Sequence, residues 1–223
     1  MSLNWIFFDV GGVLIDETEY TNWKKSTVLE LIQAYQPELQ RADVERAWIP
    51  ASIQTGSLMQ NVARLLLPNQ KEAETVVALL QDKHDEMEVA RKRQRIFPEA
   101  RDVLAQLSQK YQLGLLANQP VETRLLLNDA GLLELFRHTN VSGDYPYQKP
   151  DPRYFLHTLK DTGARAEESV MIDDNPERGL MPAKRLGMTT VWRKTSERTE
   201  IPQGTVDYTI MNLRELLDIF LKK

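Results

Sequence analysis

Residues 4–10 read NWIFFDV, a short apolar run that closes on an acid and leads into Gly11-Gly12. A run that is apolar at consecutive positions has no polar face. It reads as a strand buried on both sides, and such strands belong to parallel sheets covered by helices. This constrains the chain more than any other feature. Further buried strands must follow, with crossover segments long enough to return over a sheet.

Both are present. Strand patterns recur as QLGLLAN (112–118), RHTNVSG (137–143), SVMIDD (169–174), MTTVWR (188–193) and VDYTI (206–210). Helical patterns lie between them: EARDVLAQLSQKY (99–111), VETRLLLNDAG (121–131), DPRYFLHTLKDTG (151–163) and PERGLMPAKRLG (176–187), with NLRELLDIFLKK (212–223) closing the chain. Strands alternating with helices predict an α/β fold with a mostly parallel sheet.

The alternation has one large interruption. Between about Asp16 and Arg95 there is no strand pattern. Trp23, Thr27, Leu31 and Ala34, and then Val76, Leu79, Leu80 and Lys83, follow helical spacing. The segment is too long for a loop, so it predicts an all-helical insertion after the first strand. The expected division is a core of 1–15 and 96–223, and a helical domain of 16–95. Within the insertion, the acids of 82–88 precede Arg91, Lys92, Arg93 and Arg95, the order expected on an exposed helix whose charges oppose its dipole.

Charge and composition exclude several classes. A formal net charge of −4 argues against a general nucleic-acid binder. With no cysteine, disulfides, thiolate metal sites and cysteine nucleophiles are ruled out. The first residues lack a basic segment and a long apolar stretch, so no signal peptide is expected, and no run approaches a membrane span. The expectation is a cytoplasmic protein without nucleic-acid or membrane partners.

In an open α/β sheet, ligands bind beyond the carboxyl ends of the strands. Asp9 ends the first strand, Ala117-Asn118 the second and Asp173-Asp174 the fourth, while Lys149-Pro150-Asp151-Pro152 precedes a helix. Taken singly, an acid before two glycines is turn chemistry, and Asp-Asp-Asn-Pro is a helix cap. Together they set three carboxylates and a lysine around one crevice. Such hard oxygen ligands suit Mg²⁺.

FFDVGGVL resembles the first motif of the haloacid dehalogenase superfamily. LLANQ stands in the place of its second, QKPDPRYF is similar to its lysine motif, and VMIDDNPERGLMPAKRLGM to its fourth. FPEARDVLAQL resembles the usual re-entry into the core. The likeness covers almost the whole chain in unbroken order. It implies a Rossmann-like core with an all-helical cap inserted after the first strand, similar to subfamily IA with its first type of cap. It also implies a Mg²⁺-dependent phosphatase of a small phosphorylated metabolite, with selectivity lodged in the cap. Asp9 would be the nucleophile that forms an aspartyl-phosphate, and Lys149 the cation beside it. Asp9, the Gly11 carbonyl, Asp173 and Asp174 would hold the metal, and Gly11, Gly12, Asn118 and Lys149 would contact the substrate.

The chain departs from the family pattern twice. Gly11 stands where phosphatases of the family carry a second aspartate that protonates the leaving group; losing such a group costs roughly 10²–10⁴-fold in rate. Ala117 stands where a serine or threonine usually meets the phosphoryl oxygen, a loss on the order of 10²-fold. These departures leave two other readings: a regulatory phosphate-binding protein with no turnover, and a 2-haloacid dehalogenase, whose halide leaves without a proton.

Overall fold

The computed structural model of the protein describes residues 3–195 and 203–222. The chain divides into two compact units, Met1–Asp16 with Ile96–Lys223, and Glu17–Arg95.

In chain order, β1 (Trp5–Phe8) leads through the glycine loop to β2 (Ile15–Asp16). Five helices make up the second unit: α1 (Thr18–Gln33), α2 (Arg41–Ser52), α3 (Leu58–Leu66), α4 (Gln70–Asp82) and α5 (His84–Arg91). The chain returns through β3 (Arg95–Ile96) to α6 (Ala100–Leu107), β4 (Gln112–Leu115), α7 (Thr123–Asp129) and α8 (Pro152–Thr162). Then come β5 (Ser169–Asp173), a π-helical turn at Pro176–Leu180, α9 (Met181–Arg185), β6 (Thr189–Arg193), β7 (Tyr208–Ile210) and α10 (Glu215–Phe220). Among the described residues no helix is long and apolar enough to cross a membrane.

The main sheet has the order β4-β1-β5-β6-β7, and its neighbours pair in parallel. β1 lies inside it, flanked by β4 and β5, which is why its residues are apolar without alternation. Ile6 and Phe8 enter one core with Val103, Leu104, Leu107 and Leu216. Phe7 enters the core on the opposite face with Tyr154, Phe155, Met171 and Trp192. After β1 the chain builds β4 on one side and β5 on the other, so the strand order reverses around β1. Its carboxyl end is therefore the place where a crevice opens in a sheet of this kind.

The helical unit has its own core of Val28, Ile32, Val44, Val62 and Val76. α4 starts where the Asn69 side chain accepts from the backbone N–H groups of Lys71 and Glu72, an N-cap that satisfies donors otherwise left over at a helix start. Exposed pairs such as Lys83–Glu86 and Arg91–Glu88 decorate α5.

Three expectations need correction. The run 137–143 is not a strand. It makes one bridge, His138 to Gly114, and then turns through a 3-10 segment at Ser142–Asp144. The Arg137 and Ser142 N–H groups donate to Leu113 and Ala117, on and just past β4, but the Val141 N–H between them turns to the Asp144 side chain, so the run follows β4 without completing a ladder. The expected single helix at 176–187 opens instead as the π-turn. Two-residue strands, β2 and β3, stand at the ends of the segment that showed no strand pattern, and they pair as a separate small sheet.

Candidate active site

Every residue of the cluster described here belongs to the sheet-bearing unit. Asp9 leaves β1, its own N–H donating to Ile172 of the neighbouring strand at 2.9 Å. That bond continues the ladder one residue past the strand and fixes where the acid stands. Asp173 closes β5. Because β1 and β5 are adjacent, two acids more than 160 positions apart in the sequence come together. Oxygens of Asp9, Asp173 and Asp174 all lie within 4.8 Å of one another.

The Lys149 ammonium links two of them. It sits 3.1 Å from Asp9 Oδ1 and donates to Asp173 Oδ2 at 2.6 Å, and its side chain is completely buried. A buried cation of this kind is tolerable only when paired. Lys149 is itself held by Asn118, whose Oδ1 accepts from the Lys149 backbone N–H and whose Nδ2 donates to the Lys149 carbonyl, both at 2.8 Å. The Asn118 side chain, expected to face a ligand, thus fixes the lysine segment. α8 starts immediately after that segment, capped by Asp151 with Pro152 in its first turn.

Two glycines make room for the acids. Gly12 has φ +69°, and a Cβ there would lie 2.5 Å from Asp174 Oδ2. At Gly179, on the π-turn, a Cβ would lie 1.9 Å from Asp173 Oδ2. Any side chain at either position displaces a carboxylate. Gly12, expected as a substrate contact, also gives its N–H to Ile15 at 2.9 Å.

The electrostatics are those of an acid cluster short of positive charge. Burial pushes Asp173 upward; Lys149 opposes this and Asp9 adds to it. Burial, then Asp173, then Asp9, push the Asp174 carboxyl up to about 8. Asp174 Oδ1 is buried without a hydrogen-bond partner. A buried acceptor without a donor beside two further carboxylates calls for a cation. Three carboxylate oxygens gathered this closely are the hard donor set that would suit one divalent ion.

Four further residues take part. Arg178, on the π-turn, places Nη2 3.9 Å from Asp9 Oδ2. Trp192 and Arg193, consecutive at the end of β6, point to opposite faces and hold different loops. Trp192 Nε1 donates to the Asp174 carbonyl at 3.1 Å, and Arg193 Nη1 to the Gly12 carbonyl at 2.6 Å. The Arg193 guanidinium lies 3.9 Å above the Phe97 ring. Tyr154, fully buried on α8, donates its hydroxyl to the Ala117 carbonyl at 3.1 Å and accepts from the Ala117 N–H at 3.2 Å. None of the four was among the expected site residues, although Trp192 and Arg193 close the run MTTVWR. For Arg193 a signal did exist, since a charge at the end of the apolar run MTTVWR needs a buried partner.

A family model of haloacid dehalogenase-like hydrolases matches residues 3–187. The chain is 35% identical over 128 residues to a phosphoserine phosphatase of Thermus thermophilus, covering 56% of this chain and 51% of that one. It is 27% identical over 183 residues to a phosphoglycolate phosphatase of Nitrosococcus oceani, covering 76% and 75%. The chain thus spans about half the length of the first relative and three quarters of the second. Its fold is similar to the magnesium-bound structure of the HAD-hydrolase YfnB of Bacillus subtilis, with a TM-score of 0.67 at 20% identity over 99% of both chains. With strand-end acids, bridging lysine and sheet order in place, the chain belongs to the haloacid dehalogenase-like hydrolase family.

Proposed function

We propose that this protein is a Mg²⁺-dependent phosphatase of a small phosphorylated metabolite, working through an aspartyl-phosphate on Asp9. The observation that carries this reading is the buried Asp9–Lys149–Asp173 bridge beside the unpartnered Asp174 Oδ1. The relatives named for small phosphorylated acids support the substrate class.

Asp9, Asp173, Asp174 and the Gly11 carbonyl would hold the ion, whose charge screens the repulsion between a carboxylate and a phosphate. Asp9 Oδ1 is engaged by the Val10 N–H at 2.8 Å and by Lys149, which leaves Oδ2 as the attacking oxygen. Oδ2 bonds to phosphorus as the ester P–O bond breaks. The leaving oxygen takes its proton from water, because Gly11 offers no acid. Water then attacks the same phosphorus, phosphate departs and Asp9 is regenerated. Without an acid at position 11, esters with good leaving groups react fastest.

Phosphate release from p-nitrophenyl phosphate and from small phosphorylated acids, with and without Mg²⁺, tests the reading. Turnover is expected with Mg²⁺ and is abolished by Asp9→Asn. Activity that needs no metal and survives that change would overturn it. The regulatory reading gains if the wild type binds phosphate in Mg²⁺ but releases none from any ester. A 2-haloacid dehalogenase would use Asp9 as its nucleophile but, needing no metal, leaves the Asp173–Asp174 pair without that role; chloride release from chloroacetate would favour it.

A further inference from the structure

The two oxygens of Asp9 face two different cations. Oδ1 meets Lys149, which is buried and tied to Asp173 at 2.6 Å. That ammonium is a strut inside the wall of the site. Oδ2 lies 3.9 Å from Nη2 of Arg178, whose side chain is 22% exposed. The turn that carries Arg178 is registered to the acids. The Asn175 N–H donates to Asp173 Oδ1 at 2.8 Å, and the Arg178 N–H donates to Asn175 Oδ1 at 2.9 Å. Gly179, which follows, is pressed against Asp173 where no Cβ fits.

From this geometry we infer that Arg178 is the phosphoryl-binding cation of the site. The inference rests on the phosphatase reading and adds the residue that recognises the anion. A phosphoryl group bonded to Asp9 Oδ2 has its peripheral oxygens within reach of the guanidinium. A guanidinium presents two parallel N–H donors to such oxygens, which a lysine cannot do. The electrostatics point the same way. Arg178 brings a positive charge to the Asp9 oxygen that attacks, beside three clustered carboxylates. It also supplies a donor in a site whose second motif has Ala117 in place of a hydroxyl residue.

The test measures inorganic phosphate and orthovanadate affinity by calorimetry in saturating Mg²⁺, and in parallel p-nitrophenyl phosphate turnover, for wild type, Arg178→Met and Arg178→Lys. Hydrogen bonds to charged groups are worth about 1.5–3 kcal/mol, so Arg178→Met weakens phosphate and vanadate binding by about 10- to 100-fold. Arg178→Lys falls between the two, and added guanidinium chloride restores binding to Arg178→Met but not to wild type. Mg²⁺ affinity measured alone is unchanged or tighter in Arg178→Met, which separates anion recognition from damage to the acid cluster. Phosphate affinity equal to wild type in Arg178→Met overturns the inference, as does equal loss in both variants without guanidinium rescue. A wild type that turns over no ester but binds phosphate through Arg178 would sink the phosphatase reading and leave this assignment standing.

Discussion

Replacing Lys149 by methionine probes the electrostatic centre of the site. The ammonium is fully buried, 3.1 Å from Asp9 and 2.6 Å from Asp173, whose side chains are 4% and 0% exposed. Methionine keeps most of the stem and removes the charge, so two buried carboxylates lose their shared counter-charge. Breaking a buried ion pair from one side costs about 3–5 kcal/mol. At about 2–4 °C per kcal/mol for a chain of this size, Tm falls by about 6–20 °C. The loss depends on pH. Burial already raises Asp173 and Asp174, the latter to about 8, and without Lys149 both rise further. A carboxyl whose folded pKa lies above its ordinary 3.8 favours the fold at low pH and loses that contribution as pH climbs through the folded value. The gap between variant and wild type therefore widens toward pH 8 and closes as pH falls toward 4. Thermal melts in metal-free buffer across that range measure it, and added Mg²⁺ narrows the gap by replacing the lost charge. A variant that melts within about 2 °C of wild type near neutral pH, or a gap that is the same at every pH, refutes the view that Lys149 neutralises these acids.

Two other changes test the supports of the site. Tyr154→Phe strips the Ala117 N–H and carbonyl of their shared hydroxyl partner in a fully buried position; we expect a stability loss of about 1–3 kcal/mol by urea denaturation, and a loss below measurement error would show that the hydroxyl does not hold the second-motif loop. Arg193→Met removes the 2.6 Å bond to the Gly12 carbonyl and the charge above Phe97. Mg²⁺ affinity by calorimetry should fall about 10- to 100-fold, as for loss of a group that orients metal ligands, and unchanged affinity would mean that the glycine loop keeps its place without the clamp.

Much of the site was legible because strand ends are legible. An apolar run that stops at Asp9, and another that stops at Asp173-Asp174, mark their own carboxyl ends, and ligand chemistry gathers there in parallel sheets. The helical insertion was equally legible from the 3.6-residue spacing that runs through it. The 137–143 run misled, because it begins to pair with β4 at Arg137 and His138 but the Val141 N–H then goes to the Asp144 side chain and the chain turns away. The hold of the Asn118 side chain on the lysine segment was not legible, for a related reason. The position of Asn118 beside the second motif is local information, whereas its engagement of Lys149 depends on a loop 31 residues away.

The parallel α/β plan, the helical insertion and the candidate acids and lysine can all be read from the chain alone, since each follows from periodicity or composition within a short window. Which strands become neighbours is settled by packing across the whole sheet. The order β4-β1-β5-β6 brings Asp9 against Asp173 and sets Trp192 and Arg193 on the two loops beside them. Arg178 reaches within 3.9 Å of the nucleophile from a π-turn whose Gly179 has no room for a Cβ. Such contacts join residues far apart in the chain. Their energies come from burial and pairing in the folded core, which no local window of sequence contains.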